Sequence, residues 1–96
     1  MMMGDYVMVR TFTAGVFVGT FLHRDGKEFT IGNARRIWYW AGAATLSQLS
    51  LEGTNKPEVC QFPDPVPWVL LTEVVEVLPV SDRAKASIER VPPWRA

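Results

Sequence analysis

Between Arg35 and Gln48 the chain gathers two guanidinium groups, two indoles and the polar start of a helix. Arg35 and Arg36 can each grip a phosphate or carboxylate through a planar fork of N–H donors. Trp38 and Trp40 offer π-faces on which a planar ring can stack, a contact of about 1–3 kcal/mol where the ring is a nucleobase. Thr45, Ser47 and Gln48 stand where a helix would begin. The unpaired N–H groups of a helix start, and the positive end of its dipole, favour an anion. Arg35, Arg36, Trp38, Trp40, Thr45, Ser47 and Gln48 therefore form a candidate binding site for an anionic, planar ligand. On a strand, alternation puts Arg36, Trp38 and Trp40 on one face and Arg35, Ile37 and Tyr39 on the other. Arg36 is then the stronger of the two arginines. A plainer reading competes with this one: Trp38 and Trp40 are buried aromatics, and Arg36 pairs with Glu52 or Glu73. For the residues before the helix, Ala41-Gly42-Ala43-Ala44, tight packing against the tryptophan strand is the stronger reading.

Groups that could do covalent chemistry are sparse. His23 is the sole histidine and Cys60 the sole cysteine, and one of each cannot make a zinc site within one chain. A serine triad would need His23, which sits beside the Asp25-Gly26 turn and far in sequence from every serine. There is no phosphate loop and no dinucleotide fingerprint. Cys60 has no base or metal partner nearby in sequence and reads as a structural thiol. These observations point to a non-enzymatic binding protein with no cofactor and no metal.

Ninety-six residues make a single domain, 1–96. Lys plus Arg and Asp plus Glu each total 10, giving a formal net charge of zero. General nucleic-acid binding calls for a basic excess that is missing here. Zero net charge also removes a repulsion that keeps copies apart. The run Trp38-Tyr39-Trp40 holds more aromatic surface than one thin core absorbs. A homo-oligomer is therefore expected, with the Trp38/Trp40 face and Trp94 as contacts. No apolar run approaches the roughly 18 residues of a membrane span, and Met1-Met2-Met3-Gly4-Asp5 lacks a basic leader. The lone cysteine favours a reducing compartment. The cytoplasm is the expected location.

The elements that must position these residues follow from periodicity. Tyr6–Phe12 and Val16–His23 alternate as strands, with Val16, Val18, Thr20 and Leu22 on one face and Phe17, Gly19 and Phe21 on the other. Gly19 between two phenylalanines predicts a bend or a close backbone approach. Asp25-Gly26 is a hairpin turn leading to a strand at Glu28–Ile31, and Gly32-Asn33 predicts a further turn. Arg35–Trp40 reads as a fourth strand. Thr45 with Gln48 matches a capping box and predicts a helix over Leu46–Glu52, closed by Gly53. Four prolines keep Thr54–Pro67 extended and irregular. Trp68–Leu71 is strand, interrupted by Thr72-Glu73 and continued over Val74–Leu78. Ser81 caps a second helix, Asp82–Arg90, with Ala84, Ile88 and Val91 on its buried stripe.

Two resemblances add to this. Gly15-x-x-x-Gly19-x-Phe21-x-x-x-Asp25, followed by Phe29, Ile31 and Asn33, resembles the first motif of Sm-like RNA-binding barrels. The second Sm motif, an Arg-Gly after an apolar strand, is absent from Val74–Ser81. Over most of the chain, Tyr6–Thr11, Asn33–Trp40, Gly42–Leu49 and Lys85–Ile88 resemble a family of small, functionally uncharacterised proteins encoded by bacteriophages and prophages.

The resulting expectation is an α+β fold: a small, strongly bent, mainly antiparallel sheet of the SH3/Sm-like barrel type, with five or six strands and two short helices. The resemblance to phage proteins implies a viral accessory protein in the bacterial host cytoplasm, and the expected role is that of a host-defence inhibitor. It would sequester a small anionic, cyclic-nucleotide-like signal or block a host protein. A structural component of the phage particle and an Sm-like RNA-binding ring are the alternatives.

Overall fold

The computed structural model describes residues 1–96. Five strands and two helices follow in the order β1 (Tyr6–Thr11), β2 (Val16–Asp25), β3 (Glu28–Ile37), α1 (Leu46–Glu52), β4 (Val66–Leu71), β5 (Val74–Pro79) and α2 (Asp82–Glu89). The strands form one antiparallel sheet in the order β4-β3-β2-β1-β5. This small compact α+β domain is the expected fold class.

β4 and β5 lie at opposite edges of that order, yet only Thr72 and Glu73 separate them. Two residues span at most about 10 Å, so the sheet must curve until the end of β4 lies near the start of β5. Phe12 N–H donates to the Glu73 carbonyl and Val74 N–H to the Lys27 carbonyl. The link is thereby tied to the β1–β2 turn on one side and to the β2–β3 turn on the other. The expectation that Val74–Leu78 continues the strand at Trp68–Leu71 is corrected: the chain leaves one edge and enters the other.

Curling gives the sheet two apolar sides. Val7, Val9, Phe17, Phe21, Phe29, Ile31, Ala34, Leu71 and Val74 form a core drawn from all five strands. Met8, Val18 and Ile37 face the other way and meet Leu49, Cys60, Phe62, Ile88 and Val91 from the helices and the proline-rich loop. Strict alternation along β1 and β2 produces this division. Gly19 lies where the sheet bends: a Cβ there would collide with Ile31 Cγ2 and lie 2.7 Å from the Gly32 carbonyl oxygen.

Gly32-Asn33 does not end a strand. Val18 pairs with Arg35 and Thr20 with Gly32, so β3 has one residue more than β2 across this interval. Asn33 is the extra residue, at φ 45, a left-handed conformation that asparagine tolerates. This bulge shifts the alternation by one and turns Arg35 and Ile37 toward the helices. The predicted strand over Arg35–Trp40 is also corrected. β3 stops at Ile37, and Tyr39 makes only an isolated bridge to Gln61. The helices lie where capping places them, except that α2 ends at Glu89 with Arg90 as its C-cap.

Candidate functional site

Ending β3 at Ile37 leaves Arg36, Trp38 and Trp40 at the rim of the sheet. Arg36 faces Phe17 across the ladder, and its guanidinium carbon lies 4.3 Å from the centre of the Phe17 ring. Its Nη1 donates to the Ala14 carbonyl at 2.6 Å. One face of the fork is thus seated on an aromatic ring, and one N–H is anchored in the β1–β2 turn. The alternative pairing with Glu52 or Glu73 does not occur. Trp40 is half-buried and donates from Nε1 to the Ala43 carbonyl at 3.2 Å. Trp38 is 63% exposed. Arg36, Trp38 and Trp40, with Ile37, Val16 and the turn at 13–15, enclose a groove of about 400 Å³.

Arg35 is placed elsewhere. It is 7% exposed, and its fork is directed at four backbone carbonyls. Nε donates to Pro63 at 3.0 Å and Nη1 to Ile88 at 2.9 Å. Nη2 donates to Phe62 at 3.2 Å and to Val91 at 2.6 Å. Burial lowers its pKa from the ordinary arginine value, partly offset by Tyr6 and Asp64. Arg35 therefore serves the fold as a bracket between β3, the proline-rich loop and the end of α2. It is not available to a ligand, and that part of the seven-residue site is corrected.

The helix start is also occupied. Thr45 Oγ1 accepts from the Gln48 N–H at 3.1 Å, and Gln48 Oε1 accepts from the Ala44 N–H at 2.7 Å. The capping box is present, with its return bond reaching one residue before the cap. Thr45 and Ser47 are exposed, but neither lines the groove. Gln48 lines a different, wholly polar cleft. Of the seven residues read from the sequence, the structure brings three together: Arg36, Trp38 and Trp40.

Sequence reasoning missed Ala14 and Phe17, which fix Arg36. Val16 pairs with Ile37, so the β1–β2 turn sits beside the tryptophans only through a register that local patterning does not reveal. No group of three or more His, Cys, Asp or Glu side chains could hold a metal ion. No helix is long and apolar enough to cross a membrane.

The model of a family described as a domain of unknown function, DUF6948, matches residues 4–88. The chain belongs to that family. The match takes in all five strands, α1 and all but the last residue of α2, so the groove lies within the DUF6948 domain and the Trp94 tail outside it. No curated protein and no solved structure matches the chain.

Proposed function

We propose that this DUF6948 domain is a non-enzymatic binding protein that holds a small, planar, anionic ligand in the groove of Arg36, Trp38 and Trp40. One observation carries the reading. An arginine with uncommitted N–H groups and an exposed indole share a single concavity. An anion needs the first and a planar ring the second. The resemblance to phage and prophage proteins supplies the setting: capture of a cyclic-nucleotide-like signal, or masking of a host protein, in the bacterial cytoplasm to blunt a host defence. Calorimetric titration with cyclic mono- and dinucleotides tests this. Wild-type protein binds at least one of them, and Arg36→Ala and Trp38→Ala each weaken binding by about tenfold or more. Trp38→Ala leaves the melting temperature in place, because the ring is mostly in solvent. Absence of heat with every cyclic nucleotide at about millimolar concentration sinks the proposal.

The proposal includes the barrel type and self-association. Curling of the sheet until β4 and β5 are two residues apart supports an SH3/Sm-like geometry. Trp38 and Trp94, at 63% and 46% exposure, support contact with a second copy. Light scattering that gives a monomer at high protein concentration removes the second copy.

A further inference from the structure

A second concavity, of about 230 Å³, lies between the end of α1, the turn after it and one side of α2. It is lined by no apolar residue, in a chain that is 48% hydrophobic. Its floor is fixed. Thr54 N–H donates to Ser87 Oγ at 2.9 Å, and Ser87 Oγ donates to the Thr54 carbonyl at 3.1 Å. Gly53, at φ +78, makes this approach possible, because a Cβ there would strike Ser87. Gly42, at φ +82, is as tightly enclosed: a Cβ there would lie 2.7 Å from Asn55 Oδ1.

The rim carries charge. Arg83, Ser87 and Arg90 follow at intervals of four and three, which places them on one side of α2. Both arginines are exposed. The ion pairs of the chain are Arg10–Glu76 and Arg95–Asp64, so neither Arg83 nor Arg90 is paired. Glu52 lines the same cleft, also unpaired. The lining thus combines two free guanidiniums, one carboxylate and the amides of Gln48 and Asn55 over a rigid polar floor.

We infer that this cleft binds a small phosphorylated polyol, with the phosphate at Arg83 and Arg90 and the hydroxyls at Glu52 and Asn55. A phosphomonoester carries about −1.5 to −2 charges near pH 7, which complements two guanidiniums and their forked donors. Glu52 accepts hydrogen bonds but donates none when ionised, so it suits hydroxyls and repels a second anionic group. No aromatic or apolar residue lines the cleft, so nothing there would stack a nucleobase. The ligand class therefore differs from that of the tryptophan groove.

Titration of the full, isotope-labelled chain with ribose phosphate, followed by amide chemical shifts, tests the inference. The amides of Gly53, Thr54 and Asn55 shift saturably. The Arg83→Ala/Arg90→Ala double variant, whose lost side chains make no bond within the protein, weakens binding by about tenfold or more. If the double variant loses its folded spectrum, Arg83→Gln alone replaces it and must weaken binding in the same direction. Inorganic phosphate and free ribose each bind more weakly than ribose phosphate. No shift at these amides by about 10 mM overturns the inference. Equal affinity in the variant, or inorganic phosphate binding as tightly as ribose phosphate, overturns it too.

Discussion

Arg35 Nη2 donates to the carbonyl of Val91 at 2.6 Å, across 56 positions of sequence. Together with its bonds to Phe62, Pro63 and Ile88, this makes one buried side chain the partner of four carbonyls from two separate segments. The Phe62 and Ile88 carbonyls also accept from the backbone N–H groups of Trp94 and Val91, so the fork is the donor that Pro63 and Val91 would lack without it. An unpartnered buried carbonyl costs about 1–3 kcal/mol, and lysine offers a compact point charge in place of the planar fork. Arg35→Lys is therefore expected to lose about 3 kcal/mol in urea denaturation, and Arg35→Ala at least as much. A domain of this size has about 5–15 kcal/mol in all, so either change removes a large part of its stability. An Arg35→Lys midpoint equal to wild type would show that water serves these carbonyls instead.

Two glycines separate steric from conformational need. At Gly19 the obstruction is Ile31 Cγ2 and the Gly32 carbonyl oxygen at 2.7 Å, the latter being backbone that cannot rotate away. Gly19→Ala is expected to cost about 2–3 kcal/mol. At Gly26 a Cβ meets nothing within 4 Å, and only its φ of +62 is unfavourable to other residues. Gly26→Ala should cost about 1 kcal/mol. Thermal melts of the two variants with wild type check the order, which reverses if the bend can relax around a methyl group.

Much of this fold is legible because its signals are local. Thr45 and Ser81 announce their helices by capping, and the alternation of Val7, Val9, Phe17 and Phe21 marks one apolar side. The bulge at Asn33 is not legible, since Gly32-Asn33 carries the same composition as a turn. Whether the chain reverses there or kinks depends on β4 pairing with β3 beyond it. The division between the two arginines is legible, since alternation puts Arg36 with Trp38 and Arg35 with Ile37. Local pattern does not encode the carbonyls of Phe62, Pro63, Ile88 and Val91 that meet Arg35. The arginines of the polar cleft share it with Gly42 and Thr54 only through helix packing, which no local pattern encodes.

The two helix caps should differ in strength. Thr45 Oγ1 accepts one bond, from Gln48 N–H at 3.1 Å. Ser81 Oγ accepts from Ala84 N–H at 3.0 Å and also donates to the Leu51 carbonyl at 2.7 Å, joining the start of α2 to the end of α1. Thr45→Ala is expected to cost about 1 kcal/mol and Ser81→Ala about 2. Equal losses in denaturant unfolding would mean that the Ser81–Leu51 bond adds nothing to the cap.

Tyr6 gives the domain an alkaline limit. Burial, reinforced by Glu89 and opposed by Arg35, pushes its phenol from 10.0 up to about 12. Lys85 Nζ lies 5.1 Å from the centre of its ring. The folded state holds this proton more tightly than the unfolded chain does. Its contribution is therefore complete below pH 10 and is lost as pH rises from 10 toward 12. Two pH units correspond to nearly 3 kcal/mol. Tyr6 keeps part of its surface in water, so about 1–2 kcal/mol is the expected loss. Tyr6→Phe isolates the effect, because the two proteins differ in this one ionisable group. The stability difference between wild type and Tyr6→Phe, from urea unfolding at a series of pH values, should stay level up to pH 10 and then move in favour of the variant. A difference that stays level to pH 12 would mean that the phenol ionises in the folded protein as it does in the unfolded chain.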